Sequence, residues 1–314
     1  MTGRVIVLTG GVGGAKFVLG LYRLLDPALI TAIVNTGDDF EHLGLRITPD
    51  IDTLLYTLSG KSDEVRGWGR ADETWTFMEA LRSLGGEDWF RLGDGDLALH
   101  VERTRRLALG ETLSAVTAAF ACGWGLDCEI LPMTDAPVST WVETDIGPLP
   151  FQRYFVERQC APVVSGIRFE GADDARLAPG IVERLTGEDV RAVFIAPSNP
   201  FLSIDPILAV PGMRGALAAT SAPVVAVSPL VGGEAIKGPT RKLMDELGVP
   251  ATPAAIATHY AGMIDALLVD ERDRESPAPS IAHSYCDTWM RDIDDRLRVA
   301  TAALDLADRI ARRR

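Results

Sequence analysis

Directly after the apolar run Arg4–Thr9 (RVIVLT) the chain carries Gly10-Gly11-Val12-Gly13-Gly14-Ala15-Lys16, four glycines within five residues. No other feature restricts the fold so much. An unbroken β-branched and apolar run stopped by glycine is a strand buried on both faces. Residues 16–25 (KFVLGLYRLL) supply the helix that must follow, and residues 29–35 (LITAIVN) the next buried strand. A strand–loop–helix–strand unit of this length closes as a right-handed crossover between parallel strands. In such a turn glycine removes the side chains that block close approach, so backbone N–H groups and the helix N-terminus can both face an anion. Neither standard fingerprint applies. Lys16 stands where GxGxxG needs its third glycine, and no GK[ST] is present. A turn that serves only the geometry of the chain is the plain alternative.

Two further apolar runs, 191–196 (RAVFIA) and 223–228 (PVVAVS), end in loops rich in Pro, Gly, Ser and Asn. Ligands of open α/β sheets bind at the carboxyl ends of strands. The loops 10–16, 35–39, 197–200 and 228–238 are therefore predicted to border one site. Segments 74–84, 112–122 and 182–185 are expected to be helical, while 138–144 and 150–156 alternate like an antiparallel hairpin around Ile146-Gly147-Pro148. The expected class is α/β and Rossmann-like: a mostly parallel sheet with helices on both faces, built from 1–130 and 186–314, and a smaller α+β insertion at 131–185. An acidic connector at 270–279 and a last helix from about Asp287, capped near its start, complete the reading.

Composition narrows the partners. With 31 basic against 44 acidic residues the net charge is −13, which repels nucleic acid and anionic membrane. The one basic cluster, Arg312-Arg313-Arg314, suits a helix C-terminus. Cys122, Cys128, Cys160 and Cys286 form no CxxC pair and fit buried thiols of a reducing compartment. Apolar runs stay short of a bilayer span or a signal-peptide core, so a cytoplasmic protein without nucleic-acid or membrane partners is expected.

Acidic motifs carry most of the chemistry. Asn35-Thr36-Gly37-Asp38-Asp39 ends the second strand with adjacent carboxylates, able to bind a ribose or a hard cation, or simply to form a turn. In Thr48-Pro49-Asp50-Ile51-Asp52, Pro49 marks a helix entry capped by Thr48 or Asp50, which leaves Asp52 for metal binding or proton abstraction. Asp94-Gly95-Asp96 has spacing suited to Mg²⁺, with His100 and Arg103 following at helical intervals and Arg91 nearby to meet phosphate or a polar ring. Trp68 and Trp89 flank these loops and are candidates for stacking on a planar ligand, against the plainer role of core packing. Pro197-Ser198-Asn199-Pro200 presents fixed donors and acceptors, and Lys237 adds a cation after the 223–228 run.

Taken in order, GGVGGAK, NTGDD, TPDIDTLLYTLSG, GWG, WFRLGDGDLALHVERT, LPMTDAPVST, FQRYFV, APSNPFLSI, VSPLVGG and KGPTRKLM resemble the 2-phospho-L-lactate transferase family along nearly the whole chain. The resemblance implies a Mg²⁺-dependent, Rossmann-like enzyme of coenzyme F-420 biosynthesis. Such an enzyme moves a phospho-acid from a guanylyl-diphospho-acid donor to the ribityl hydroxyl of the deazaflavin Fo and releases GMP. It implies Asp52 and Asp50 as catalytic carboxylates, and Asp52, Arg91, His100 and Trp89 against the deazaflavin. Gly11, Gly13, Gly14, Lys16, Asn35, Ser198 and Asn199 would hold the donor, and Asp38, Asp50, Asp94 and Asp96 the metal. The spelling GGVGGAK resembles the bacterial branch, associated with phosphoenolpyruvate rather than phospholactate, and related proteins are often homodimers. Two other readings compete. A nucleotide-sugar-binding regulatory protein of the same superfamily would need the nucleotide loops but not PDIDT and RLGDGD, and an NAD-dependent oxidoreductase would need the absent third glycine.

Overall fold

The computed structural model describes residues 3–313, so Arg314 lies outside the described residues. β1 (Arg4–Thr9) leads into α1 (Gly11–Leu24), and β2 (Ile30–Val34) follows. A hairpin of β3 (Phe40–His42) and β4 (Leu45–Ile47) precedes α2 (Pro49–Leu58), α3 (Thr76–Ser83), α4 (Asp94–Ala108) and α5 (Leu113–Gly123). After β5 (Glu129–Pro132), the strands β6 (Ser139–Thr144), β7 (Gly147–Pro150) and β8 (Val164–Glu170) make a separate antiparallel sheet. Next come α6 (Ile181–Thr186), β9 (Val190–Ile195), α7 (Asp205–Ala209), α8 (Met213–Ala219) and β10 (Val224–Val227). The chain ends with the short pair β11 (Leu230–Val231) and β12 (Glu234–Ala235), α9 (Thr240–Glu246), α10 (Pro253–His259), β13 (Ala266–Asp270), β14 (Ala282–Cys286) and α11 (Ile293–Ala311).

The seven-stranded sheet runs β14-β13-β10-β9-β1-β2-β5, and every pairing in it is parallel. Chain order reverses between β1 and β9, the switch point at which doubly wound sheets open a crevice. Alternate residues of β1 feed two layers. Val5 and Val7 pack with Phe17, Leu21 and Val299 under α1 and α11, whereas Ile6 and Leu8 pack with Val193, Ile195, Ile207 and Met213 on the opposite face. Burying a side chain of this size contributes about 1.5–3 kcal/mol, so the sheet, more than local propensity, decides where elements form.

Several expectations shift accordingly. α1 begins at Gly11, not Lys16: the glycine turn is the helix's own first turn, held by packing against glycine's poor helix propensity. The second arm of the insertion hairpin is Gly147–Pro150, and residues 151–157 turn helically because Phe151 and Tyr154 bury on one side. The final helix starts at Ile293 behind the cap of Asp292, whose side chain accepts from Asp295 N. Asp287 instead accepts from Trp289 N and from Arg272, which holds 287–291 as a loop. The segment at 270–279 is part strand, since Asp270 closes β13 and is fully buried. Among the described residues no single helix is long and apolar enough to cross a membrane.

Candidate active site

Asp50 ties the carboxyl edge of the sheet together. Sitting in the first turn of α2, it accepts from Gly11 N at 2.7 Å and from Asn35 Nδ2 at 2.9 Å. Asn35 in turn accepts from Gly37 N at 2.8 Å and donates to Leu202 O at 3.3 Å. Ser198 spans the switch point, accepting from Gly10 N at 3.2 Å and donating to Gly10 O at 2.7 Å. The glycines allow this closeness: a Cβ on Gly13 would lie 2.6 Å from Pro197 O, and one on Gly10 2.5 Å from Asp50 Oδ2. Gly10 and Gly13 therefore face protein atoms, and Asn35 and Ser198 spend their hydrogen bonds on the fold. Asn199 caps the turn after it, accepting from Phe201 N and Leu202 N, while its Nδ2 is buried without a partner.

Around this knot lies a group of carboxylates that burial makes reluctant to ionise. Asp50 is pushed up to about 6 by burial, against the donors Asn35 and Gly11. Burial raises Asp38 well above the ordinary carboxylate range, helped by the nearby charge of Asp50. It does the same to Asp39, against Arg46 and Arg103. Asp38 Oδ1, both Asp39 oxygens, and the hydroxyls of Thr9, Thr36 and Thr140 are buried without hydrogen-bond partners. Unsatisfied buried polar atoms are rare enough that a cluster of them points to a polar ligand.

Asp52 belongs to a second network. Arg103, 1% exposed, grips both Asp52 oxygens and also donates to His100 Nδ1 at 3.1 Å. With Arg103 at Nδ1, the other ring nitrogen, Nε2, faces Asp96 Oδ1 at 3.2 Å. Tyr56 donates to the same Asp96 oxygen. Burial raises Asp52 despite Arg103, and would raise Asp96, but His100 and Tyr56 bring Asp96 below its ordinary value. His100 is 2% exposed and serves inside this network.

Asp94 stands apart, accepting from Thr74 Oγ1 and from the backbone N–H groups of Thr76 and Phe77, so it secures the start of α3. Among the described residues no group of three His, Cys, Asp or Glu side chains is arranged to hold a metal ion. The four carboxylates expected to share one cation are thus divided between these settings. Of the four, Asp38 and Asp50 interact electrostatically, and Asp38 Oδ1 is buried without a hydrogen-bond partner. Two carboxylates are a usual protein contribution to Mg²⁺, with waters and substrate phosphates completing the shell.

The aromatic candidates separate as well. Arg91 lies 4.3 Å over the ring of Trp75. Trp89 lines a cavity of about 250 Å³ with Phe40, His42, Gln152 and Arg153, the Arg153 guanidinium 4.1 Å over its ring. His42 Nε2 is buried there without a partner, and burial lowers its proton affinity. Gln152 Nε2 donates to Asp38 O at 3.4 Å, which makes the aromatic cavity a neighbour of the acidic knot. Lys16 turns elsewhere, donating to Met290 O at 2.8 Å. Sequence reasoning singled out Asp39 only as one of two adjacent carboxylates, missed His42, Gln152 and Arg153 as site residues, and left Arg103 without a fixed role. Only Arg103 left a signal, three residues after His100 and seven after Asp96 on one helix face.

The comparisons with known proteins agree in direction. Residues 5–302 match the family described as 2-phospho-L-lactate transferase CofD. A phosphoenolpyruvate transferase of Streptomyces griseus is 42% identical, covering 98% of this chain and 99% of the relative. One of Streptomyces coelicolor is 40% identical with the same coverage. A crystal structure of a UPF0052 family member from Bacillus halodurans superposes with a TM-score of 0.61 over 97% of this chain and 99% of that one, at 15% identity, and so supports the fold alone. Matched end to end by its relatives, the chain belongs to the 2-phospho-L-lactate transferase family, the transferases of coenzyme F-420 biosynthesis.

Proposed function

We propose that the protein transfers a phosphoenolpyruvyl group, or its phospholactyl counterpart, from a guanylyl-diphospho-acid to the ribityl hydroxyl of the deazaflavin Fo, releasing GMP in the cytoplasm. The observation that carries this reading is the adjacency of the acidic knot, where Asp38 Oδ1 and both Asp39 oxygens lack hydrogen-bond partners, to the aromatic cavity at Trp89. One recognises a charged, cation-bound diphosphate and the other a planar ring. Relatives named phosphoenolpyruvate transferases at about 40% identity favour that acid over phospholactate.

In this reading the hydroxyl oxygen of Fo attacks the phosphorus that carries the acid. A new P–O bond forms, the bridging P–O bond to GMP breaks, and the hydroxyl proton passes to a carboxylate. Such a transfer depends on positioning and charge neutralisation more than on covalent catalysis. Asp38 and Asp50 would hold Mg²⁺, which supplies charge neutralisation at the diphosphate. Asp39 is the best-placed proton acceptor: neither oxygen has a hydrogen-bond partner, Arg46 lies 3.5 Å from Oδ2 as an ion pair, and burial strengthens the carboxylate as a base. Asp52, engaged by Arg103, positions α4 and the hairpin of β3 and β4 beside it. Trp89, Phe40 and His42 pack against the deazaflavin. Asn199 Nδ2 donates to the donor nucleotide.

The test combines the purified protein with Fo, GTP, Mg²⁺, a guanylyltransferase and either phosphoenolpyruvate or 2-phospholactate. Mass spectrometry then reads GMP and the extended deazaflavin. Product with phosphoenolpyruvate is expected; no product with either acid would refute the assignment. Asp39→Asn should lose turnover while retaining substrate binding.

A further inference from the structure

Gly93-Asp94-Gly95, prominent in the sequence for its acidic spacing, joins α3 and α4 at their N-terminal ends. Trp75 and Gly93 stand at the two N-cap positions, and neither supplies a side-chain hydrogen bond there. Each helix takes its cap from the other. Asp94, the first residue of α4, accepts from Thr76 N and Phe77 N, both at 3.1 Å, and so caps α3. Glu73, just before α3, accepts from Gly95 N at 2.6 Å and so caps α4. Asp94 N also donates to Thr74 O at 3.0 Å, and Thr74 Oγ1 donates back to Asp94 at 2.6 Å.

Glu73 is the deeper half of this clamp. Its side chain is 3% exposed, whereas the bonds to the Asp94 side chain lie in solvent. A Cβ on Gly93 would collide with the Glu73 carboxylate, and one on Gly95 with Arg70, whose Nη1 lies 3.6 Å from Glu73 Oε1. The two glycines thus make room for a buried acid. Oε1 itself is buried without a hydrogen-bond partner. A Ser or Thr caps a helix equally well without burying a charge, so capping α4 alone does not account for Glu73.

Residues 84–93 run from the end of α3 back to the start of α4, and Glu73 fixes their return end. This loop carries Glu87 and Trp89 into the wall of the aromatic cavity. Its neighbour Phe90 packs on a small core of Ile47, Met78 and Leu92, with Trp75 beside it. That core is separate from the two large ones on the main sheet, so the sheet does not hold the loop. Arg91 lies 4.3 Å over Trp75, which leads the contacts back to the clamp. The tie to the insertion, Arg153 with Glu87 at 3.1 Å, is solvent-exposed, and such pairs contribute little.

We propose that Glu73 is a positioning residue for the acceptor: by holding the start of α4 against the approach to α3, it sets the 84–93 loop so that Trp89 meets the planar ring. This rests on the reading of the Trp89 cavity as the deazaflavin site, and adds a residue that touches neither substrate.

Equilibrium binding of Fo, steady-state kinetics in the coupled transferase assay and deuterium exchange of the amides at 84–93 compare wild type, Glu73→Ala and Glu73→Gln. Gln keeps an oxygen for Gly95 N; Ala does not. Apparent affinity falls with the fraction of molecules that hold the loop in place. Loss of one charge-assisted hydrogen bond is expected to weaken Fo binding about tenfold in Glu73→Ala, with faster exchange at 84–93. The KM for Fo rises in parallel, while kcat and the KM for the guanylyl donor stay near wild type. Glu73→Gln restores all of these. Where Glu73→Ala fails to fold, Glu73→Asp, one methylene too short for Gly95 N, makes the same comparison. Fo held equally by Glu73→Ala and wild type, equal losses for both substrates, or a Gln variant as damaged as the Ala variant overturns the assignment. A wild type that binds Fo but forms no product with either acid refutes the transferase reading and leaves Fo binding to decide the role of Glu73. A wild type that binds no Fo overturns that role together with the cavity's.

Discussion

Replacing Arg103 by Met tests the Asp52 network most directly. Arg103 is 1% exposed and Asp52 4% exposed, so the substitution strands a carboxylate with only the Thr48 hydroxyl, at 3.3 Å, and a distant imidazole for company. Breaking one side of a buried pair costs about 3–5 kcal/mol, a large share of the roughly 5–15 kcal/mol that holds a typical domain. The loss has a ceiling, because a stranded carboxyl can take up a proton. Its folded pKa, already raised by burial against Arg103, climbs further once the guanidinium is gone. With the folded value above the unfolded one, the folded state binds more protons. The penalty of Arg103→Met is therefore full above the folded pKa and fades as pH falls toward the unfolded value.

Denaturant unfolding of wild type and Arg103→Met at pH 7.5 and pH 5 reads this as a shift in midpoint at constant slope. Adding Asp52→Leu to Arg103→Met should recover much of the loss, since both charges are then gone and the space remains filled. A cost below about 1 kcal/mol, or a penalty that does not change with pH, would refute the account of Asp52 as a structural anchor. Asp52 would then be free for the catalytic role its sequence position suggests.

Three other outcomes follow from the same geometry. Asp50, raised to about 6 against an ordinary 3.8, makes the folded protein bind more protons between those values, so this group's contribution to stability falls as pH rises across that window and levels off above it. Mg²⁺ needs the ionised form; its effect on the melting temperature should be larger at pH 7.5 than at pH 5 and small in Asp50→Asn, and an equal shift at both pH values would count against Asp50 as a ligand. Gly13→Ala should cost about 1–3 kcal/mol by denaturant midpoint, because the new methyl meets the Pro197 carbonyl, whose backbone cannot easily give. Trp89→Ala should raise the KM for Fo while leaving that for the guanylyl donor unchanged; a loss on the donor side instead would remove the aromatic cavity from the acceptor site.

What the sequence revealed depended on how far apart the interacting residues lie. β1, β2, β9 and β10 are continuous apolar runs, and all four stand in the middle of the sheet. The flanking β5 (EILP) and β14 (AHSYC) carry partly exposed positions and too little periodicity to separate them from loops. Asp50 and Asp52 stand in one motif with Pro49 and could be singled out from it. Their separate duties could not, because those depend on Gly11 and Asn35 in one case and on Arg103, 51 residues away, in the other. The Ser198 link to Gly10 spans 188 residues and leaves no local trace.

The glycine turn gains a different meaning from these connections. A phosphate cradle needs backbone left open, yet Gly10 and Gly13 lie against Asp50, Ser198 and the Pro197 carbonyl. What the glycines provide is closeness between α1, α2 and the loop after β9, without which Asp50 could not reach Gly11 N. One helix turn later Lys16 lines a cation cavity of about 80 Å³ with Lys237, Arg291 and Arg296, so a single rigid segment borders both the carboxylates and the cations. A diphospho donor carries charge at more than one phosphorus, and an enzyme that transfers only one of them must hold the other still while the bond between them breaks. Because Gly11 N of α1 holds Asp50 of α2 and Lys16 of the same α1 borders the cation cavity, α1 fixes the separation of the two. Shifting Lys16 relative to Asp50 by inserting one alanine after Ala15 should therefore damage transfer more than binding of either substrate measured alone. Equal losses in both would mean that the two cavities work independently.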